Sequence, residues 1–176
     1  MLALGRNYDI IPIVEPIDID TSQGGDQFSI RDAGGVTLVF ITGVGAAGRD
    51  LTFTVTRHVD MADTSGTTID LSAIAHPHYY IKRGSAATVV GDGSWTKSAA
   101  MTDTDGATVV LDATEGEDSA LIALHFDKRD LGDGYSALSV SAVVGGGSGA
   151  KLAACIAILD DLQVQRAPAN LRSALA

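Results

Sequence analysis

Residues 38–55 read LVFITGVGAAGRDLTFTV, and Gly43, Gly45 and Gly48 spell G-x-G-x-x-G directly after an apolar run. Two readings compete, with opposite consequences for the fold. A dinucleotide-binding fingerprint needs a helix that starts at its third glycine, because the helix N-terminus holds the pyrophosphate. Downstream of Gly48, however, Leu51, Phe53, Val55, Arg57 and Val59 alternate with Thr52, Thr54, Thr56, His58 and Asp60. A period of two with β-branched residues makes a strand with one wet face. Upstream, VTLVFIT (36–42) is a continuous apolar run suited to a strand buried on both faces. The glycines therefore turn the chain between two strands. Their expected form is an antiparallel hairpin whose loop uses positive φ angles. The nucleotide reading falls with the missing helix.

The rest of the composition points the same way. Twenty glycines among 176 residues, with many Thr, Ser, Asp and Val, favour short strands joined by tight turns. At 45% hydrophobic and 19% charged residues, the chain has enough apolar material for one real core. The formal charge of −10 repels phosphate backbones, which argues against nucleic-acid binding but not against a basic protein surface. The N-terminus lacks the features of a signal peptide, and no segment has the run of ~18 apolar residues that a membrane helix needs. Synthesis in a host cytoplasm, with no membrane partner, is the expectation.

Residues 1–20 combine Pro12 and Pro16 with Ile10, Ile11, Ile13, Val14, Ile17 and Ile19. Proline denies a central strand its donors, yet the segment is too apolar for a free tail. An extended arm laid over its own surface or a neighbour's satisfies both facts. Further strands are expected at Phe28 and Ile30, around Ile69 and Leu71, and over 79–82, 107–113, 119–126 and 135–144. LAACIAILDDL (152–162) also fits a helical face, but the glycine-rich loop before it invites a hairpin and a strand is preferred. The resulting expectation is an all-β, antiparallel sandwich or barrel-like, jelly-roll-like domain over 21–166, with an N-terminal arm (1–20) and a C-terminal tail (167–176).

Positive evidence of chemistry is missing. GGGSGAKL (145–152) lacks the second glycine and the hydroxyl of a phosphate loop after Lys151. DTDG (103–106) and DKRDLGDG (127–134) fall short of an EF-hand and read as tight turns. TEGED (114–118) is a solvated acidic loop. Cys155 sits in an apolar run as a small hydrophobe. His76 and His78 form the only close histidine pair, best read as structural; a metal would need a third ligand that the sequence does not nominate. His125 and Asp127 share a strand face without any nucleophile context. Trp95 reads as a core filler, since one tryptophan makes a poor stacking platform. No catalytic, metal or cofactor residues are expected.

The opening LGRNYDIIPIVEPIDI, the strand ending in Gly34-Gly35, TLVFITGVGAAGRDLTFTV and the later YYIKRG…GSWTK together resemble small β-rich proteins of tailed bacteriophages, most closely over the first hundred residues. The resemblance implies an auxiliary head protein: a non-enzymatic decoration or cement subunit bound to the capsid exterior of the virion. It also implies the major capsid protein as partner and self-association as a trimer or other cyclic oligomer. Ile10, Ile11, Ile13, Val14 and Ile17 of the arm, with Leu171 and Leu175 of the tail, are the candidate partner-binding residues. A tail-tube or head–tail connector subunit, a glycan- or calcium-binding sandwich using Trp95 and the Asp-Gly loops, and an enzyme using the histidine pair and a metal are the alternatives.

Overall fold

Phe40 and Phe53, the aromatic residues flanking the glycine stretch, belong to different sheets. In the computed structural model their ring centroids lie 4.3 Å apart with the planes tilted by 32°. The structure describes residues 7–20, 22–46, 50–84, 94–102, 108–111, 118–145, 149 and 151–163. In chain order the strands are β1 (Asp9–Ile19), β2 (Ser22–Gly24), β3 (Phe28–Ser29), β4 (Gly35–Thr42), β5 (Asp50–His58), β6 (Thr67–Thr68), β7 (Tyr79–Arg83), β8 (Thr96–Lys97), β9 (Thr108–Leu111), β10 (Ala120–Asp127), β11 (Ala137–Gly145) and β12 (Lys151–Asp160). The first sheet runs β1-β12-β4-β10-β7-β8 and the second β2-β11-β5-β6, with β3 also on β11 and β9 also on β5. Every strand pairing among the described residues is antiparallel. The result is an all-β sandwich, not a closed barrel.

The alternation read in 51–56 is the pleat of β5. Leu51, Phe53 and Val55 are fully buried, while Thr52, Thr54 and Thr56 are half-buried on the outside. Their partners on β11 are Val144, Ala142 and Val140, all buried. Opposite them the first sheet contributes Leu38 and Phe40 of β4, Ile122 and Leu124 of β10, and Cys155 and Ala157 of β12. The core is the space between the two inner faces.

The glycine stretch does turn the chain between two strands, but not as a hairpin. β4 pairs with β10 and β12, and β5 pairs with β11, β6 and β9. The strands on either side of the glycine stretch therefore lie in different sheets. So do β11 and β12. So do β10 and β11, joined by the 3-10 turn Lys128–Leu131. The correction has a simple cause: β4, β10 and β12 are apolar enough to seek each other, so their sequence neighbours are displaced to the opposite layer.

The N-terminal segment is likewise not an arm. Asp9–Ile19 forms β1, the edge strand of the first sheet, and pairs with β12 from Asp9↔Leu159 to Ile19↔Lys151. Its register shifts between Pro12 and Val14 and again between Val14 and Ile17, the interval that contains Pro16. An edge position with bulges is where a strand tolerates proline. The C-terminal tail, with Leu171 and Leu175, lies outside the described residues. The segment 152–162 is strand over Leu152–Asp160, and Lys151 at its start is fully buried, with Nζ donating to the Asp118 carbonyl at 3.1 Å. Burial holds its ammonium below the ordinary lysine value, against the attraction of Asp118. Cys155 is buried as a hydrophobe, and that burial pushes its thiol up. Ile69 and Leu71 are also buried, but the short strand nearby is Thr67–Thr68 and they follow it.

At the end of β5 the alternation breaks: His58, not Arg57, is buried. Its Nε2 accepts from the Ser139 hydroxyl at 2.8 Å, and its Nδ1 donates to the Asp63 carbonyl at 2.9 Å. Gly66 crosses the imidazole at φ +57°, where an added Cβ would lie 2.5 Å from both His58 Cε1 and Thr56 Cγ2. The Asp63 carboxylate accepts from the amides of Gly66, Ser65 and Val59, each at 3.1 Å. Those bonds, the Gly66 amide foremost, hold its pKa at about 2.

Two outcomes follow. Gly66→Ala combines a left-handed backbone with a clash against the ring and lowers stability by about 1–3 kcal/mol in denaturant unfolding. Because the Asp63 pKa is depressed on folding, its contribution is complete above the unfolded value near 3.8 and is lost as pH falls towards about 2. An Asp63→Asn protein should therefore show a shallower loss of stability between those pH values than the parent, measured by urea midpoints.

Candidate functional site

The two outer faces of the sandwich differ in chemistry. On the second sheet, cross-strand pairs Ser139↔Thr56, Ser141↔Thr54 and Val143↔Thr52 give the mixed, mostly hydroxyl-bearing surface that an antiparallel sheet shows to water. On the first sheet the outward rows are mainly aliphatic over β1, β12 and β4 and become more polar over β10, β7 and β8. One row runs Ile10, Ile158, Thr37, His125 across β1, β12, β4 and β10. The next runs Pro12, Ile156, Val39, Ala123, Tyr80, Lys97 and extends to β7 and β8. A third runs Ala154, Ile41, Leu121, Lys82. Ile10, Ile41, Leu152 and Tyr80 are exposed by 50%, 43%, 53% and 48%, so no described segment lies over them. The run 36–42, read from sequence as buried on both faces, is thus covered on one side only.

At the β10–β7–β8 side this face sinks into a concavity of about 360 Å³, lined by Thr37, His76, His78, Tyr80, Lys97, Ala123 and His125. A tight turn positions the first two histidines: the His78 amide donates to the His76 carbonyl at 2.7 Å, around Pro77. Ser98 fixes the loop against β7, donating its amide to the Tyr79 carbonyl at 2.9 Å and accepting from the Tyr79 amide at 3.0 Å. His78 Nδ1 donates to the Ser98 carbonyl at 3.1 Å, which leaves Nε2 as the ring's acceptor.

His125 rises from β10 with its ring 6.3 Å from that of His76. Its Nδ1 lies 3.1 Å from Thr37 Oγ1 and 3.7 Å from Asp160 Oδ2, and its Nε2 lies 3.5 Å from Asp127 Oδ1. Burial acts to raise the Asp127 carboxyl, but the Arg129 guanidinium, 2.8 Å away, and His125 outweigh it and hold the pKa below the usual value. Burial also raises Asp160, helped by Asp161 and Asp127 and opposed by His125, and here burial prevails.

Thr37, His125 and Asp127 form a hydroxyl–imidazole–carboxylate chain, yet the arrangement is a poor nucleophilic centre. Thr37 stands mid-strand on β4, whose backbone is engaged by β10 on one side and β12 on the other. Backbone amides engaged in two ladders cannot converge on a developing oxyanion. Among the described residues no three His, Cys, Asp or Glu side chains are placed to hold a metal ion. The concavity instead offers an apolar floor at Ala123 with imidazole, hydroxyl and ammonium groups at its rim, suited to receiving a side chain.

The structure divides the residues predicted from sequence. Ile11, Ile13 and Val14 point into the protein's own core, at 3% exposure or less, and are not available to a partner. On the same strand Ile10, turned out by the pleat, and Ile17, beyond the register shifts, are exposed. Trp95 is 49% exposed and does not fill the core, because it precedes a two-residue strand at the sheet's outer edge. Asp130, in the loop weighed as a calcium site, spends its carboxylate on the amides of Ala75 and Asp127, both at 2.9 Å. Residues 103–107 lie outside the described part. Sequence reasoning missed Ile41, Val39, Ile156, Ile158 and Leu152; unbroken apolar runs on β4 and β12 were the available signal.

No protein-family model and no curated protein sequence matches the chain. Among solved structures it is similar to the SPBc2 prophage-derived protein YomS, at 12% identity and a TM-score of 0.38, over 86% of this chain and 94% of that one. It is also similar to a family two carbohydrate esterase from Cellvibrio japonicus, at 9% identity and a TM-score of 0.31, over 81% of this chain. The matched region spans about a third of the esterase, 34% of its length. At these values neither likeness carries an argument about this chain. No described helix is long and apolar enough to cross a membrane.

Neighbours on β4 separate the two sides of this sheet. Ile41→Ser, on the exposed face, should change stability by no more than about 0.5 kcal/mol. Phe40→Ala, one residue earlier and in contact with Phe53, should cost about 3–5 kcal/mol. Chemical denaturation of the two variants checks the contrast.

Proposed function

We propose that the protein is a non-enzymatic virion structural protein, a decoration or cement subunit bound to the outside of a tailed-phage head, where it stabilises the shell. The observation that carries this reading is the aliphatic outer face of the first sheet, left exposed at Ile10, Ile41 and Leu152. An apolar sheet face of this kind marks an interaction surface. Burying each such residue contributes roughly 1.5–3 kcal/mol relative to leaving it in water, so a few suffice to hold a subunit in a lattice.

Three further features support it. The sandwich has one continuous core, its two inner faces packed with aromatic and aliphatic residues. β1 is an edge strand, the position at which a sheet can take up a neighbour's strand. The resemblance of residues 4–19, 37–55 and 79–97 to small phage proteins points to the same setting. In this reading the major capsid protein is the partner, and the net charge of −10 favours a basic patch on the shell.

Mixing purified protein with undecorated heads is the test. Binding at micromolar concentration, with a fixed ratio to the shell protein and a raised temperature of shell disruption, is expected. Failure to bind, together with absence from purified virions, overturns the reading. Recovery in hexameric rings from the tail or neck would instead assign the protein to the tail tube or connector.

A further inference from the structure

We infer that the aliphatic face of the first sheet is where two copies of this chain pair face to face, about a two-fold axis lying along β4. The inference rests on the virion-subunit reading, with this face joining copies of the chain and the edge strand β1 left for the shell. A flat apolar sheet is best covered by another sheet, with side chains meeting across about 10 Å. The argument for a second copy, over a foreign chain, lies in the shape of the face itself.

The face has a ridge at one edge and a hollow at the other, on the same cross-strand rows. The ridge is Ile10, half exposed on β1, two strands to one side of β4. The hollow is the histidine-lined concavity over β10 and β7, with Ala123, His125 and Tyr80 in its lining, up to two strands to the other side. A rotation of 180° about an axis along β4 keeps each row at its level and exchanges the two edges. It therefore brings Ile10 and Ile158 of each copy over the His125 side of the hollow of the other. In the same operation Ile156 of β12 comes over the small Ala123 of β10, so large meets small there. Val39 and Ile41, on the axis, meet their own counterparts. Such self-complementarity is the signature of an isologous interface.

The area suffices. Five strands spaced by ~4.8 Å, each about eight residues long at ~3.3 Å per residue, make a face of roughly 600 Å². Pairing two of them buries about 1,200 Å², the lower bound for specific association. A micromolar dissociation constant is the expected scale. The net charge of −10 on each copy opposes approach, so added salt should tighten the pair, the reverse of a contact held by ion pairs.

Sedimentation equilibrium of the full chain between about 1 and 200 μM is the first experiment. The apparent mass is expected to rise from one chain to two, at lower concentration in 0.5 M salt than in 0.05 M. Ile41→Asp places like charges against each other on the axis and should weaken association at least tenfold. Val143→Asp, at an exposed apolar position on the other sheet, should leave it unchanged, with circular dichroism confirming that both variants fold. Ile41→Cys should be captured as a dimer by a bis-maleimide that spans about 10 Å, the distance between facing sheets, since the native Cys155 is buried, whereas Leu152→Cys, off the axis, should not.

A chain that stays monomeric to 200 μM, or a dimer indifferent to Ile41→Asp and not captured by Ile41→Cys, overturns the inference. Head binding is read separately. Protein that decorates heads while monomeric removes the two-fold pair and keeps the virion role; a dimer that never binds heads does the opposite.

Discussion

The contact between Phe40 and Phe53 fixes the rest of the molecule. The two rings belong to neighbouring strands in sequence, yet they face each other across the sandwich at 4.3 Å. Once they meet, β4 and β5 cannot pair edge to edge and lie in different layers. The phase of both strands is set by the same contact. With Phe53 inward, Leu51 and Val55 follow it and the threonines are turned to water. With Phe40 inward, Leu38 and Val36 follow, and Thr37, Val39 and Ile41 are turned out. A slip by one residue on either strand would reverse every side chain on it.

That phase gives the two layers unlike exteriors. The second sheet shows threonine and serine, which hydrate easily. The first shows isoleucine, valine and leucine, with a histidine-lined hollow at one side. Aliphatic side chains on an outer face add little to the stability of the chain that carries them, since they stay in contact with water. Their free energy becomes available when a second surface covers them. The fold thus separates stabilising residues from associating ones by a single step along each strand, as Phe40 and Ile41 show.

The polar groups divide along similar lines. His58 is built into the structure, clamped between Ser139 and the Asp63 carbonyl under Gly66. Lys151 closes one end of the core through the Asp118 carbonyl. His76, His78 and His125 stand instead at the surface, around a space large enough for a side chain. Asp127 and Asp160 flank His125 at 3.5 and 3.7 Å; burial raises the Asp160 carboxyl, whereas at Asp127 burial is outweighed by the Arg129 guanidinium and His125.

By itself the sequence determined the type of element and its pleat. Alternation over 51–56, the apolar runs at 36–42 and 152–159, and the glycine-rich turns make an antiparallel β protein, because side-chain periodicity is a local property of the backbone. Partner strands were decided only in three dimensions. A glycine-rich loop of given length serves a hairpin or a crossing between sheets equally well, and the choice depends on which apolar strands bury most together. For this reason the stretch after Phe40 reads as a hairpin and folds as a crossing, and residues 9–19 read as an arm and fold as β1. The histidine cluster was hidden for the same reason: His76 and His78 lie in a loop and His125 in a strand almost fifty residues on, and only the pairing of β7 with β10 brings them together. Exposure of Ile41 beside the buried Phe40 is likewise a tertiary outcome, since both belong to one unbroken apolar run and only the single layer packed beneath it tells them apart.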